Sequence, residues 1–228
     1  MEESFAKNLM WELKIDTTSL CREEWELKIL SILYNSPLGK NLIFKGGTAL
    51  RLAYNSPRFS EDLDFSLKGK IKKQRLDKIF DKILKEIKEN YSEISIPDTK
   101  NKFYTLFCLI KVKESWLPRS FSIKLEISKR QNLEENEIKT LTSPTTNIQV
   151  IANVQTLDQI LKDKTQAMKT RAKPRDFFDI WYINQLKRQP VKLPKKKISP
   201  LKLKSELGKF LPQSYRKVID QILKEIKK

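Results

Sequence analysis

The chain has 228 residues, 39% of them hydrophobic, enough for one domain with a sizeable core or a catalytic domain with a small helical appendage. Two cysteines and no histidine give no basis for a disulfide framework and exclude a Cys/His zinc site and any histidine base. The balance of 46 Lys and Arg against 28 Asp and Glu, a formal +18, suits polyanionic partners, nucleic acid first and anionic membrane second, although a lysine-rich proteome would raise the charge as well.

Residues 1–11 carry early acids and no continuous apolar stretch, which does not describe a signal peptide. No apolar run approaches the ~20 residues that cross a bilayer, so the cytoplasm is the expected location and no membrane partner is expected. Helical spacing of Leu20, Trp25, Ile29 and Leu33 predicts a helix over residues 20–35. Residues 41–44 form a short apolar run that ends at Gly46-Gly47 and reads as a strand. Residues 48–54 read as a helical turn or short helix. In residues 60–67, Leu63, Phe65 and Leu67 alternate with Asp62, Asp64 and Ser66, the period of a strand.

Residues 72–91 carry Leu76, Ile79, Phe80, Ile83, Leu84 and Ile87 on one helical stripe. Strands are expected over 103–113, 120–129 and 147–151. In the second of these, Phe121, Ile123, Leu125 and Ile127 alternate with Ser122, Lys124, Glu126 and Ser128. From Thr156 the chain reads helical: 157–171, then 175–187 after Pro174, then one or two helices within 199–227. Pro190, Pro194 and Lys195–Lys197 mark a polar linker. Residues 187–228 hold fourteen Lys and Arg against three Asp and Glu. The order implies an α+β fold, with a sheet core and N-terminal helices over 1–155 and a basic helical bundle over 156–228.

Two stretches carry candidate chemistry. Gly46-Gly47 lies between a strand and a helix, where bare backbone N–H groups and the helix N-terminus can receive phosphate, with Thr48 as a hydroxyl donor. On its own the pair is a turn signal, and no Walker-type P-loop is present. Asp62 and Asp64, at i and i+2 on a strand, project from one face. Two adjacent carboxylates repel unless a cation or water separates them, and Mg²⁺ binds well to one or two carboxylates plus substrate phosphates. The plainer alternative is a pair of solvated acids. Glu126, on the polar face of a neighbouring strand, is the candidate third carboxylate, or simply an exposed acid beside Lys124. Downstream, Lys164 and Arg171 fall near one helical face and can reach a common anion such as a triphosphate. Asp176 and Asp179 share a face as well, and Arg175 and Asp179, at i and i+4, could form an ordinary surface pair. Among the aromatics, Trp25 and Trp181 read as core, whereas Trp116 is the candidate exposed ring for stacking a base.

Lys45-Gly46-Gly47-Thr48-Ala49-Leu50, then Arg58-Phe59-Ser60-Glu61-Asp62-Leu63-Asp64-Phe65, resembles the first motif of the AbiEii/AbiGii nucleotidyltransferase toxin family, to which the MenT toxins are similar. Leu161-Lys162-Asp163-Lys164 with Ala167, then Arg171, Lys173-Pro174-Arg175-Asp176 and Asp179-Ile180, resembles that family's downstream segment. The two matches frame roughly residues 40–180. The resemblance implies a DNA-polymerase-β-like nucleotidyltransferase core with a helical C-terminal part, and functional residues at Ser60, Asp62, Lys164 and one of Asp176 or Asp179.

It implies a pyrophosphate-releasing enzyme that moves a nucleotide from an NTP onto tRNA or another RNA with Mg²⁺. Its setting would be the toxin of a two-gene toxin–antitoxin or phage-defence system, with a helix-turn-helix antitoxin as partner. The expected nucleotide site is Gly46, Gly47, Thr48, Ser60, Lys164 and Arg171. The expected metal ligands are Asp62, Asp64 and Glu126, and the expected catalytic set is Asp62, Asp64, Lys164, Asp176 and Asp179. Two other readings stay open: a catalytically weak nucleic-acid-binding module of the same fold, and transfer to a protein or small molecule.

Overall fold

A computed structural model describes residues 1–130, 133–191, 193 and 198–227. Helices α1 (Glu3–Leu13) and α2 (Thr17–Asn35) lead into strand β1 (Leu42–Lys45), helix α3 (Gly46–Tyr54), strand β2 (Asp62–Leu67) and helix α4 (Lys73–Asn90). Strands β3 (Ile94–Asn101), β4 (Thr105–Val112), β5 (Phe121–Ser128), β6 (Asn136–Ser143) and β7 (Thr146–Gln155) follow. Helices α5 (Leu157–Thr170), α6 (Pro174–Leu186), α7 (Pro200–Phe210) and α8 (Val218–Lys227) complete the order. Pro194 and residues 195–197, read as linker, lie outside the described residues.

The strands form one mixed sheet in the order β3-β4-β5-β2-β1-β7-β6. At its centre β2 runs antiparallel to β1 and parallel to β5, and β1 runs parallel to β7. The alternation in β2 and β5 sends Leu63, Phe65, Ile123, Leu125 and Ile127 into the core. The same alternation leaves Asp62, Asp64 and Glu126 on the opposite face, which is the geometric origin of the site. Helix α4 closes the core with Leu76, Phe80, Ile83, Leu84 and Ile87. Helix α2 is buried on most sides, with Trp25 inside and its indole N–H donating to Glu114 Oε1 at 2.6 Å.

A second apolar cluster joins Met168, Phe177, Phe178 and Ile180 of α5 and α6 to Leu203, Leu207 and Ile222 of α7 and α8. Leu161 and Tyr182 pack against both clusters, so the helical end is seated on the sheet. Backbone ties reinforce this: Phe59 N–H donates to the Phe210 carbonyl at 2.8 Å, and Tyr182 Oη donates to the Tyr54 carbonyl at 2.9 Å. The fold is the α+β sheet core with helical C-terminal bundle that the sequence implied.

Three expectations need correction. The strand expected at 147–151 extends over ten residues as β7, and β3, β6 and α1 appear where no element was expected. Strands β3 and β6 are the sheet's edges, and each buries only one residue, Ile94 and Leu141. β3 also carries Pro97 within a register shift between Ser95 and Asp98. Trp116 is not an open platform: it packs against the core and its indole donates to the Met1 carbonyl at 3.0 Å. The i, i+4 pair of Arg175 and Asp179 does not form, because Arg175 turns to Glu61 and Glu206. Cys21 and Cys108 are buried, free thiols.

Candidate active site

The site forms where the β1–α3 turn, β2, β5 and the α5–α6 corner converge around a cavity of about 300 Å³. Gly46 opens α3 with φ of +82°, a left-handed conformation natural to glycine. A Cβ on Gly47 would lie 2.3 Å from Arg58 Nη2 and 2.9 Å from Ser60 Oγ. The turn can therefore stay this close to its neighbours only without side chains. The N-cap residue Lys45 makes no side-chain hydrogen bond to the start of α3, which leaves its first N–H groups open to an anion.

Strand pairing then fixes the acids. Asp62 is in register with Lys124, and Asp64 with Lys45 on one side and Glu126 on the other. Lys124 Nζ lies 3.6 Å from Asp62 Oδ2 and 3.8 Å from Glu126 Oε2. Burial raises the Asp64 carboxyl above its ordinary value; Lys124 opposes the rise, and Asp62 and Glu126 add to it. The face concentrates negative charge and already holds one cation by its side chains. A divalent ion fits this chemistry, since Mg²⁺ needs only one or two carboxylates with phosphate and water. As placed around Lys124, no three acids among the described residues stand close enough to enclose an ion unaided.

The opposite wall comes from α5 and α6. Lys164 Nζ lies 3.0 Å from Asp176 Oδ1 and 2.6 Å from Asp179 Oδ2. Arg171 Nε approaches Asp176 Oδ2 at 3.3 Å, an oxygen that is buried and accepts no hydrogen bond among the described residues. Asp179 is wholly interior and also receives Arg58 through a two-pronged pair. The two downstream acids therefore differ: Asp176 lines the cavity, and Asp179 stands behind it, holding Arg58 and Lys164 in place.

Gly47, Ser60, Asp62, Asp64, Glu126, Lys164, Arg171 and Asp176 thus surround one cavity. Thr48 does not: it is fully buried and its hydroxyl donates to the Asp62 carbonyl, bracing β2 against α3. Four further cations line the cavity, namely Arg58, Lys124, Lys173 and Arg175. Arg58 and Lys124 stood within stretches already singled out, but a lysine alternating with a glutamate on a strand carries no mark of its role until the parallel register of β2 and β5 is known.

Paired carboxylates facing a cationic wall, beneath a helix start, suit a nucleoside triphosphate, the substrate of a nucleotidyltransferase. The sequence profile described as "Nucleotidyl transferase AbiEii toxin, Type IV TA system" matches residues 28–218, and the chain belongs to that family. A search of curated protein sequences finds no match. Among solved structures, JHP933 from Helicobacter pylori is similar, with a TM-score of 0.59, 21% identity and coverage of 93% of this chain and 92% of that one. A candidate nucleotidyltransferase from Helicobacter pylori gives a TM-score of 0.55, 23% identity and coverage of 93% and 84%. At these identities the likeness speaks for the fold.

Proposed function

We propose that the chain transfers a nucleoside monophosphate from an NTP to an RNA, with tRNA the leading acceptor, as the toxin of a type IV toxin–antitoxin or phage-defence pair. The observation that carries this reading is the opposition across one cavity of Asp62, Asp64 and Glu126 to Lys164 and Arg171. In it the triphosphate lies against the Gly46-Gly47 helix start, Ser60, Lys164 and Arg171, which bind and orient its negative oxygens. Asp62, Asp64 and Glu126 would hold Mg²⁺, which when bound neutralises phosphate charge and aligns the triphosphate. The acceptor hydroxyl gives its proton to a carboxylate of this trio and attacks the α-phosphorus; the bond to the β-phosphate oxygen breaks and pyrophosphate leaves. Catalysis is then mainly positioning and charge neutralisation. The +18 charge favours an RNA acceptor over a protein or small molecule. Among the described residues no helix is long and apolar enough to cross a membrane. The antitoxin is a further protein partner.

The test is incubation with total RNA, Mg²⁺ and each α-labelled NTP in turn. Label migrating with an RNA band supports the reading. Label on protein, or pyrophosphate release without labelled RNA, would move the acceptor elsewhere.

A further inference from the structure

The β3–β4 hairpin ends in two large rings that the core does not use. Phe103 is 84% and Tyr104 53% exposed, and they meet edge to face with centroids 4.6 Å apart. Turn positions ordinarily take Gly, Asn, Asp or Pro, so two adjacent aromatics at a tip are an unusual exposure of apolar surface. The tip is anchored all the same. Lys129 N–H donates to the Tyr104 carbonyl at 2.8 Å, and Lys129 Nζ donates to Asn101 Oδ1 at 2.9 Å and to the Lys102 carbonyl.

Cations surround the rings. Phe103 shares a cavity of about 510 Å³ with Lys70, Lys73, Lys102 and Lys129. The Arg130 guanidinium lies 5.3 Å from the Tyr104 centroid. Arg130 also lines the next cavity, of about 690 Å³, together with Lys45, Lys162 and Arg171, and Arg171 in turn lines the active site. Two acids, Glu134 and Asp163, line that middle cavity as well. Glu134 accepts hydrogen bonds from Ser66 and Gln155, and Asp163 accepts them from Gln155 and Gln159. A cationic track thus runs from the catalytic cavity to the paired rings. Strand β5 carries Glu126 at one end of it, and the chain reaches Arg130 four residues on, about 13 Å of extended strand.

We infer that Phe103 and Tyr104 form a stacking platform for the single-stranded end of the RNA acceptor, whose phosphates follow Arg130, Lys45, Lys162 and Arg171 into the active site. Base stacking needs an exposed π face, and a polyanion needs cations spaced along its path; the track supplies both. This assignment rests on the reading of RNA as acceptor. Stacking on the rings needs an unpaired base, which favours a single strand over a duplex.

The test is fluorescence anisotropy of a fluorescein-labelled single-stranded oligoribonucleotide of about a dozen nucleotides, without NTP. Wild type binds with an affinity that falls steeply as salt rises. The double variant Phe103→Ala/Tyr104→Ala, in which both altered side chains are mostly in solvent, binds on the order of tenfold or more weakly, and Tyr104→Phe binds as wild type does. Arg130→Gln weakens binding and reduces the salt dependence. The inference is overturned if wild type does not bind the probe, or if the double variant binds within about twofold of wild type while circular dichroism shows it folded. It is overturned equally if the double substitution spares RNA binding but abolishes binding of the purified antitoxin, which would assign the rings to a protein interface. The readout involves no turnover. Ring-dependent binding without nucleotide transfer would therefore sink the transferase reading and leave the rings as an RNA-binding surface with no acceptor role.

Discussion

Arg58 and Asp179, 121 residues apart in the chain, meet in the interior, where Arg58 Nε and Nη2 donate to the two carboxylate oxygens of Asp179 at 2.8 and 2.9 Å. Neither side chain reaches solvent to any extent. The pair joins the loop before β2 to α6, and Lys164 completes it from α5. It is the fixed post against which both walls of the active site are set.

Removing one member leaves the other buried without its counter-charge. Asp179→Asn is predicted to lower stability by about 3–5 kcal/mol, seen as a fall in Tm on the order of 10 °C in thermal unfolding. Burial pushes the Asp179 carboxyl up, but the charges and hydrogen bonds of Arg58 and Lys164 outweigh it and hold the group below its ordinary 3.8. A depressed folded pKa contributes stability that is present above the unfolded value and is lost as pH falls through the folded one. Wild type therefore loses stability below roughly pH 4, and Asp179→Asn shows a flatter acid limb in urea unfolding followed against pH. An unchanged acid limb would contradict the assignment.

Asp64 shifts the other way. Burial, opposed by Lys124 and reinforced by Asp62 and Glu126, raises its carboxyl, so ionising it costs the ion-free fold more than the unfolded chain. That contribution to stability is present below the unfolded pKa and is lost as pH rises through the folded one. At neutral pH Asp64→Asn is predicted to leave the metal-free protein at least as stable as wild type while abolishing transfer. Calorimetry beside an activity assay checks both halves, and a destabilised, active variant would refute them.

Lys124 competes with a metal ion for the same carboxylates. Removing it by Lys124→Ala is expected to tighten Mg²⁺ binding to the nucleotide-free protein on the order of fivefold, a modest effect because the ion pairs are partly open to solvent. Isothermal titration is the check, and weaker binding in the variant would show that Lys124 supports the ion instead of standing in for it.

Gly47 touches Arg58 and Ser60 where no Cβ fits, and Arg58 cannot retreat because Asp179 holds it. Gly47→Ala should cost about 1–3 kcal/mol of stability and reduce kcat/KM by on the order of 100-fold through displacement of the phosphate-facing turn. A variant with full activity would show that the turn has slack.

Much of this arrangement was legible in the sequence, because its signals are local. The two-residue alternation in β2 and β5 gave the strands and their acidic faces, and the glycine pair gave the turn. What stayed hidden depends on partners distant in the chain. Thr48 looked like a phosphate donor, yet it hydrogen-bonds the Asp62 carbonyl fourteen residues away. Asp176 and Asp179 shared a helical face without distinction until Arg58 claimed one of them. Lys124 became part of the site only through the parallel pairing of β2 with β5. Edge strands β3 and β6 escaped notice because few of their side chains are buried, and burial is what writes an alternating pattern.

Turnover of an NTP by the acids on β2 is the chemistry on which the proposed function stands. Its most direct test is Mg²⁺-dependent transfer of α-labelled NTP to total tRNA by wild type and by Asp62→Ala, with EDTA as control. Labelled RNA and released pyrophosphate from wild type, with neither from the folded variant nor under chelation, is the predicted result. Equal labelling by Asp62→Ala would contradict the account.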